Sequence, residues 1–247
     1  MRSHVRHAGS HNWGIQLMPD YESPRVLRKV KQVVLDINSE GVLSDARSAG
    51  LEVAAIEDFR NQAHNYWRIE DVMNQYAGLA ARYSAISGLT AGIGGLPTAV
   101  TLGGVDIANM AAQLYRLCQR LAILNGFDPA NPLQQEKTQE IYLYALGFDA
   151  AAQALIKQQL VRAASIAGKR GASSNVVLKL VILVAEKVGA KVTTKQAASY
   201  IPFVGGAVGA GVSYAFARTA AKKMVDSFKR EYFRTWQAEQ RNLEPDA

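Results

Sequence analysis

Two stretches without a single charged residue constrain this chain more than any other feature. The first runs from Tyr83 to Val105 and the second from Gln196 to Ala217. A run of about 20 apolar residues is long enough to cross a bilayer as one helix. Here Gly92, Gly94, Gly95, Pro97, Gly103 and Gly104 interrupt the first stretch, and Pro202 with closely spaced glycines interrupts the second. Glycine weakens a helix interior and proline removes a backbone donor, so an uninterrupted spanning helix is not expected. A broken helical hairpin, buried in protein or dipping into lipid, fits better. Gly205 and Gly209 are four residues apart, as are Ala207 and Gly211, a spacing that lets helix backbones approach closely. The two stretches are expected to pack on one another or to lie side by side at one end of the molecule.

The remainder reads as amphipathic helices, which predicts an all-α chain. The expected arrangement is a single helical-bundle domain over residues 23–240 with two glycine-rich apolar helical hairpins. A mobile basic tail over residues 1–22 precedes it and a short tail over residues 241–247 follows. Ser23 and Pro24 form a helix start, and Val26, Val30, Val33, Val34 and Ile37 share one face of a helix from Arg25 to Glu40 that Gly41 can stop. A long helical pattern follows from Leu51 to Ser84. Asp106 opens the next helix, whose apolar stripe includes Ile107, Met110, Leu114, Leu117, Cys118 and Leu121 and which Gly126 closes. Asp128-Pro129 and Asn131-Pro132 form a turn and a cap. An Ala-rich helix from Asp149 to Ala167 is separated by AGKRGASS from VVLKLVILVAEKV. That run has β-branched composition, but no second strand-like run exists to satisfy its backbone, so it is read as a central buried helix. The last helix repeats Phe216, Ala220, Met224, Phe228 and Tyr232 every four residues.

Lys plus Arg number 28 against 21 Asp plus Glu, a net charge of +7 with a pI near 9.5. Arg25, Arg28, Lys29 and Lys31 cluster in the first helix, where the macrodipole favours acids, so helix stability does not explain them. Lys222, Lys223, Lys229 and Arg230 lie on the last. Both clusters read as solvated faces or as contacts to an anionic membrane surface or a lipid-like ligand; the alternative is a helical interaction module whose terminal basic helix binds an acidic partner. Nucleic acid is not expected as a partner, since no basic-aromatic interleaving of a known module is present, and a homo-oligomer is left open. The one cysteine, Cys118, rules out an internal disulfide and a Cys-based zinc module, and fits a reducing compartment. The opening residues have no apolar signal core. Cytoplasmic residence is therefore expected, with a peripheral place at the inner face of the cell membrane left open.

Tests for chemistry mostly fail. His4, His7 and His11 would share a helical face, but Gly9, Ser10, Gly14 and Pro19 work against a helix there, and no metal or cofactor is expected. Gly92-Ile93-Gly94 is followed by Pro97 where a dinucleotide fingerprint needs Gly. AGKR at Ala167 to Arg170 fails as a phosphate loop because Ala163 and Arg170 occupy its Gly and Ser/Thr positions. Ala85 to Leu89 is not a serine-hydrolase elbow. Cys118 falls on an apolar stripe and reads as structural. Glu57, Asp58, Glu70 and Asp71 read as solvated. The remaining catalytic candidates are Asp106 and Asp128 with His64, as a hydrolase acting on hydrophobic substrates. Each also has a plain account: Asp106 and Asp128 as helix or turn caps, Asp106 alternatively paired with Arg82, Arg116 or Arg120, and His64 as a core residue among aromatics.

From Tyr83 to Leu146 the chain resembles the EcsC family, named for a protein encoded beside a bacterial ABC transporter. The matching parts are YSAISGLTAGIGGLP, then VDIANMAAQLYRLCQRLAIL, NGFDP and QQEKTQEIYLYAL, with a second element IPFVGGAVGAGVSYAF leading into the basic terminal helix. The resemblance extends over roughly Arg25 to Arg234 and rests most on the order GLP, Asp, GFDP. Asn125 stands where the family usually has Tyr before Gly. The resemblance implies a bacterial protein associated with membranes through its glycine-rich segments, and carries no settled reaction. Residues at the family's characteristic positions are Gly94, Gly95, Pro97, Asp106, Gly126, Asp128, Pro202, Gly205 and Gly209. The expected lipid- or membrane-contacting positions are Gly92, Gly94, Gly95, Leu96, Pro97, Pro202, Phe203, Gly205 and Gly209, and the family positions read equally as turn and packing residues.

Overall fold

The computed structural model describes residues 24–35, 37–90, 95–167, 172–198 and 205–243. The tail expected over residues 1–22 lies outside the described residues. Eight α-helices are seen among them: α1 Pro24–Leu35, α2 Ser39–Ser48, α3 Tyr66–Thr90, α4 Gly95–Leu124, α5 Pro132–Ala145, α6 Ala150–Ala167, α7 Ala172–Ala198 and α8 Gly205–Leu243. No strand occurs among the described residues, and the all-α expectation holds.

Val26, Val30 and Val34 form the buried stripe of α1. The helix ends at Leu35 instead of continuing to Glu40, because Asn38 starts a new one: its side-chain oxygen accepts from the Gly41 amide at 2.9 Å. Gly41 thus sits in the first turn of α2 and stops nothing. The helix expected from Leu51 is also corrected. Residues 51–55 are not helical, and two 3-10 turns, Ile56–Asn61 and Ala63–Asn65, precede α3. Asp58 causes this locally. Its carboxylate accepts from the amides of Ala54 and Ala55, both at 2.8 Å, and these bonds hold it below the usual carboxylate range. Asp58 is therefore a turn-forming group, and Glu70 pairs with Lys229 at 2.7 Å, so neither is merely solvated.

Helix α8 packs mainly on α3. Tyr66 meets Tyr232 and Phe233, and Glu70, one turn further along α3, meets Lys229, one turn earlier along α8. The two helices are antiparallel. So are α3 and α4, where Tyr66 bonds Asn125 while Tyr76 lies under Arg120. Helix α5 turns back along α4: the Cys118 thiol meets the Thr138 carbonyl, and the Tyr142 hydroxyl meets the Ala111 carbonyl. Helix α7 carries the VVLKLVILVAEKV run, with Leu180 to Ala185 all buried, as expected of a central helix. Lys157 fastens α6 to α5 through Glu136 at 3.1 Å and Glu140 at 2.6 Å. Burial acts to raise the Glu140 carboxyl, but the ammonium groups of Lys157 and Lys137 overcome it and hold it lower.

Gly126 ends α4 with φ +76°. Its amide bonds the Ile123 carbonyl at 2.9 Å, and the Phe127 amide bonds Ala122 at 3.0 Å, which satisfies carbonyls the helix leaves open. A Cβ at Gly126 would stand 2.7 Å from Arg60 Cγ, whereas one at Gly78, midway along α3, would meet nothing within 4 Å. Gly126→Ala is therefore expected to destabilise by about 1–2 kcal/mol from backbone handedness alone, and by more once Arg60 is displaced. Gly78→Ala is expected to stabilise by about 1 kcal/mol. Thermal unfolding of the two variants should move in opposite directions from the parent.

Candidate functional site

The antiparallel α3–α8 register has a consequence for the two uncharged stretches. Residues paired across these helices have numbers that sum to 298 or 299, as in Tyr66 with Tyr232 and Glu70 with Lys229. Continued along straight helices, the same register sets Arg82 and Tyr83 level with Ala215 to Ala217, and the end of α3 level with the first turns of α8. The start of α4 follows the end of α3 after four residues. The charge-free ends of α3, α4 and α8 therefore converge on one end of the bundle, here called the pole. Helix α7 ends six residues before α8 begins, which brings its C-terminal end within reach of the same place.

Charge is sorted along the molecule in the same sense. Between Asp71 and Asp106 the only charged residue is Arg82. From Lys187 to Val225 there are six cations and no acid. Arg82, Lys187, Arg218, Lys222 and Lys223 are exposed. None of Arg82, Arg218, Lys222 and Lys223 has an ion-pair partner among the described residues. Tyr83 is 61% exposed and Leu79, one turn before it, 46%. These residues lie on α3, α7 and α8 just below the charge-free ends of those helices. Sequence reading missed Leu79, Tyr83 and Arg218 as a group, although Arg82, Tyr83 and Arg218 are the residues that bound the uncharged stretches.

Of the expected pole residues, Gly95, Leu96 and Pro97 form the first turn of α4, and Gly205 and Gly209 lie in the first turns of α8. Proline in a first turn loses no helical bond. Gly92, Gly94, Pro202 and Phe203 lie outside the described residues. Among the expected anionic-surface residues, Arg28 and Lys29 are exposed on α1, and Arg28, Lys31, Gln32 and Leu35 border an open concavity of about 760 Å³. Arg25 is in the first turn of α1, with its side chain outside the described residues. Lys229 is tied to Glu70 and lies over the Tyr66 ring, and Arg230 donates to Ser227 at 3.1 Å. Lys222 and Lys223 are exposed with no ion-pair partner among the described residues, so the two ends of that cluster differ: one holds α8 to α3 and the other faces outward.

The catalytic candidates are not gathered. Asp106 does not open a helix, since α4 begins eleven residues earlier at Gly95. It lies 19 residues before Asn125 on a continuous helix and turn, about 28 Å along the axis, so Asp106 and Asp128 belong to opposite ends. Asp128 caps its turn, accepting from the Ala130 amide at 2.8 Å, while Asn131 caps α5. His64 is exposed in a 3-10 turn instead of buried in the core. Phe59, Gln62 and Tyr66 around it are buried while His64 is not. Cys118 is fully buried and its thiol is pushed up by burial, which leaves it protonated and inert. Among the described residues no group of three or more His, Cys, Asp or Glu could hold a metal.

The loop beyond α4 has a structural role. Asn125 is fully buried and accepts from the Tyr66 hydroxyl at 2.9 Å, while Arg60 donates to the Gly126 carbonyl and Trp236 to the Asn125 carbonyl. Among the described residues no helix is long and apolar enough to cross a membrane. Comparison of the chain with protein-family models, curated proteins and solved structures finds no match.

Proposed function

We propose that this chain is a membrane-associated or lipid-binding helical protein similar to the EcsC family, with no reaction assigned to it. The observation that carries the reading is the convergence of two charge-free, glycine-rich stretches on one end of the bundle, with cations next to them on α3 and α8. Helix ends of this composition gain free energy by leaving water, and the exposed cations beside them on α3 and α8, without an ion-pair partner among the described residues, favour an anionic surface. Each Lys or Arg near such a surface contributes about 1 kcal/mol. A place at the inner face of a cell membrane, where anionic lipids are exposed, agrees with both features.

The experiment is flotation of the whole protein with phosphatidylcholine vesicles and with vesicles that also contain phosphatidylglycerol, each at low and high salt. The protein is expected to float with the anionic vesicles at low salt. Part of that binding should survive high salt, because salt screens the cations and not the apolar contact. Protein that stays at the bottom of the gradient under all four conditions would end this reading.

A further inference from the structure

We infer that the chain enters a single leaflet of the membrane pole first, with the α3–α8 cations at the phosphate level and the charge-free helix ends in the hydrocarbon of that leaflet only. This inference rests on the membrane reading above and adds orientation, depth and the residues that set them.

The depth follows from helix lengths. Arg82 stands eight residues before the end of α3 at Thr90, Asp106 eleven after the start of α4, and Arg218 thirteen after the start of α8. At 1.5 Å per residue these charge-free lengths are about 12, 16 and 20 Å. Half of a bilayer's hydrocarbon is about 15 Å. The apolar ends therefore match one leaflet and fall well short of two. A surface helix lying flat needs an apolar face along its length, and α8 beyond Lys222 instead buries that face, with Ala220, Met224, Val225 and Phe228 packed inward. Only the end of α8 is left to enter lipid.

The side chains at the boundary fit that placement. Arg82, Arg218, Lys222 and Lys223 are exposed and unpaired by acids, and Tyr83 sits among them largely exposed. Tyrosine collects at the headgroup level, where its ring is apolar at one end and wet at the other. Lysine and arginine there reach phosphate while their stems stay in the apolar layer. The first acid on α8 is Asp226, about one turn beyond Lys222, and the nearest on the earlier part of α3 is Asp71. The acids at comparable height lie on other elements and not on α3 or α8: Asp106 on α4, Glu186 on α7, Asp45 on α2, whose carboxylate accepts from the Tyr76 hydroxyl, and Asp149, whose carboxylate is used by the Ala152 amide at 2.8 Å. The α3–α8 side is therefore the one that meets anionic headgroups.

The test places an environment-sensitive fluorophore at Ser87→Cys, within the charge-free end of α3, or at Gly78→Cys, where a side chain has open space. Cys118 is fully buried and stays unlabelled in the folded protein. Vesicles of phosphatidylcholine and phosphatidylglycerol carry a nitroxide at the headgroup, high on the acyl chain or deep in it. The residue-87 probe should be quenched by acyl-chain nitroxides and the residue-78 probe by the headgroup nitroxide alone. A triple variant Arg218→Glu, Lys222→Glu, Lys223→Glu should lose binding to the anionic vesicles by at least about tenfold. Flotation of the parent with both probes remaining in water would overturn the insertion and leave the membrane reading standing. Quenching of the residue-78 probe deep in the chains, or unchanged binding of the triple variant, would also overturn it. A residue-87 probe already shielded in solution by a second copy, detected as a dimer by light scattering that persists on vesicles, would do the same. Failure of the parent to float with any vesicle would remove the membrane reading and the inference together.

Discussion

Asn125→Asp is expected to unfold the protein at a temperature that falls, relative to the parent, as pH rises. Asn125 is fully buried at the end of α4. Its oxygen accepts from the Tyr66 hydroxyl at 2.9 Å, and its nitrogen donates to the Leu121 carbonyl at 2.7 Å and lies 3.0 Å from the Met73 sulfur. Aspartate has the same shape but lacks the amide donor. As a carboxylate it would turn an anionic oxygen toward a carbonyl and a sulfur, both electron-rich. As a neutral acid it could still donate to Leu121. Burial and these neighbours therefore raise the folded-state pKa above the unfolded value of about 3.9. A raised folded pKa means that the variant stands closest to the parent below pH about 4, and that the deficit grows as pH rises through the folded pKa. A plateau deficit of about 2–4 kcal/mol near neutral pH is expected, the cost of burying a polar group with its partner removed. That corresponds to roughly 5–15 °C in a chain of this size. Thermal melts of parent and variant across pH 4 to 8 read the difference directly. A deficit that does not change with pH would show that the Asn125 amide is not the group Leu121 depends on.

The local patterns that proved legible are those decided by burial along one helix. The stripe on α8 from Phe216 to Tyr232, the buried run of α7 and the capped turn at Asn131-Pro132 could all be read from residue spacing, because one face packed inward is all they require. What could not be read depends on contacts distant in sequence or on competing starts. Asp106 and Pro97 are both acceptable near a helix start. The helix begins near Pro97, with Asp106 in its interior, although Gly103 and Gly104 weaken a helix there. The aromatic surroundings of His64 implied a core position, but the Asp58 cap winds residues 56–65 into 3-10 turns that face it outward. The uncharged stretches were plain in the sequence. Their meeting at one end was expected from that shared composition, but the register that would bring it about was not, because it depends on the Glu70–Lys229 and Tyr66–Tyr232 contacts between residues more than 150 apart in sequence.

Those contacts set the second large effect. Tyr232→Ala is expected to cost roughly 3–5 kcal/mol, the range for removing a large buried aromatic side chain. Total stability of a domain is only about 5–15 kcal/mol, so a substantial part of it depends on this one residue. The Tyr232 ring is fully buried, 4.7 Å from the Tyr66 ring and edge-on to Phe233 at 5.2 Å. Its hydroxyl, pushed up to about 12 by burial, stays a donor through the physiological range and bonds the carbonyls of Phe59 at 2.8 Å and Arg60 at 3.2 Å. Tyr232→Phe separates the two contributions: it keeps the ring, leaves those carbonyls without this donor, and should cost about 1–2 kcal/mol. Hydrogen exchange should report the lesion first at residues 56–65, the turns that Tyr232 holds to α8. Arg218 lies fourteen residues nearer the pole, about 21 Å along α8. Tyr232→Phe should accordingly bind anionic vesicles like the parent at temperatures where both are folded. Equal loss of vesicle binding in Tyr232→Phe and in the Arg218, Lys222, Lys223 triple variant would place the membrane contact along the whole of α8 instead of at its polar end.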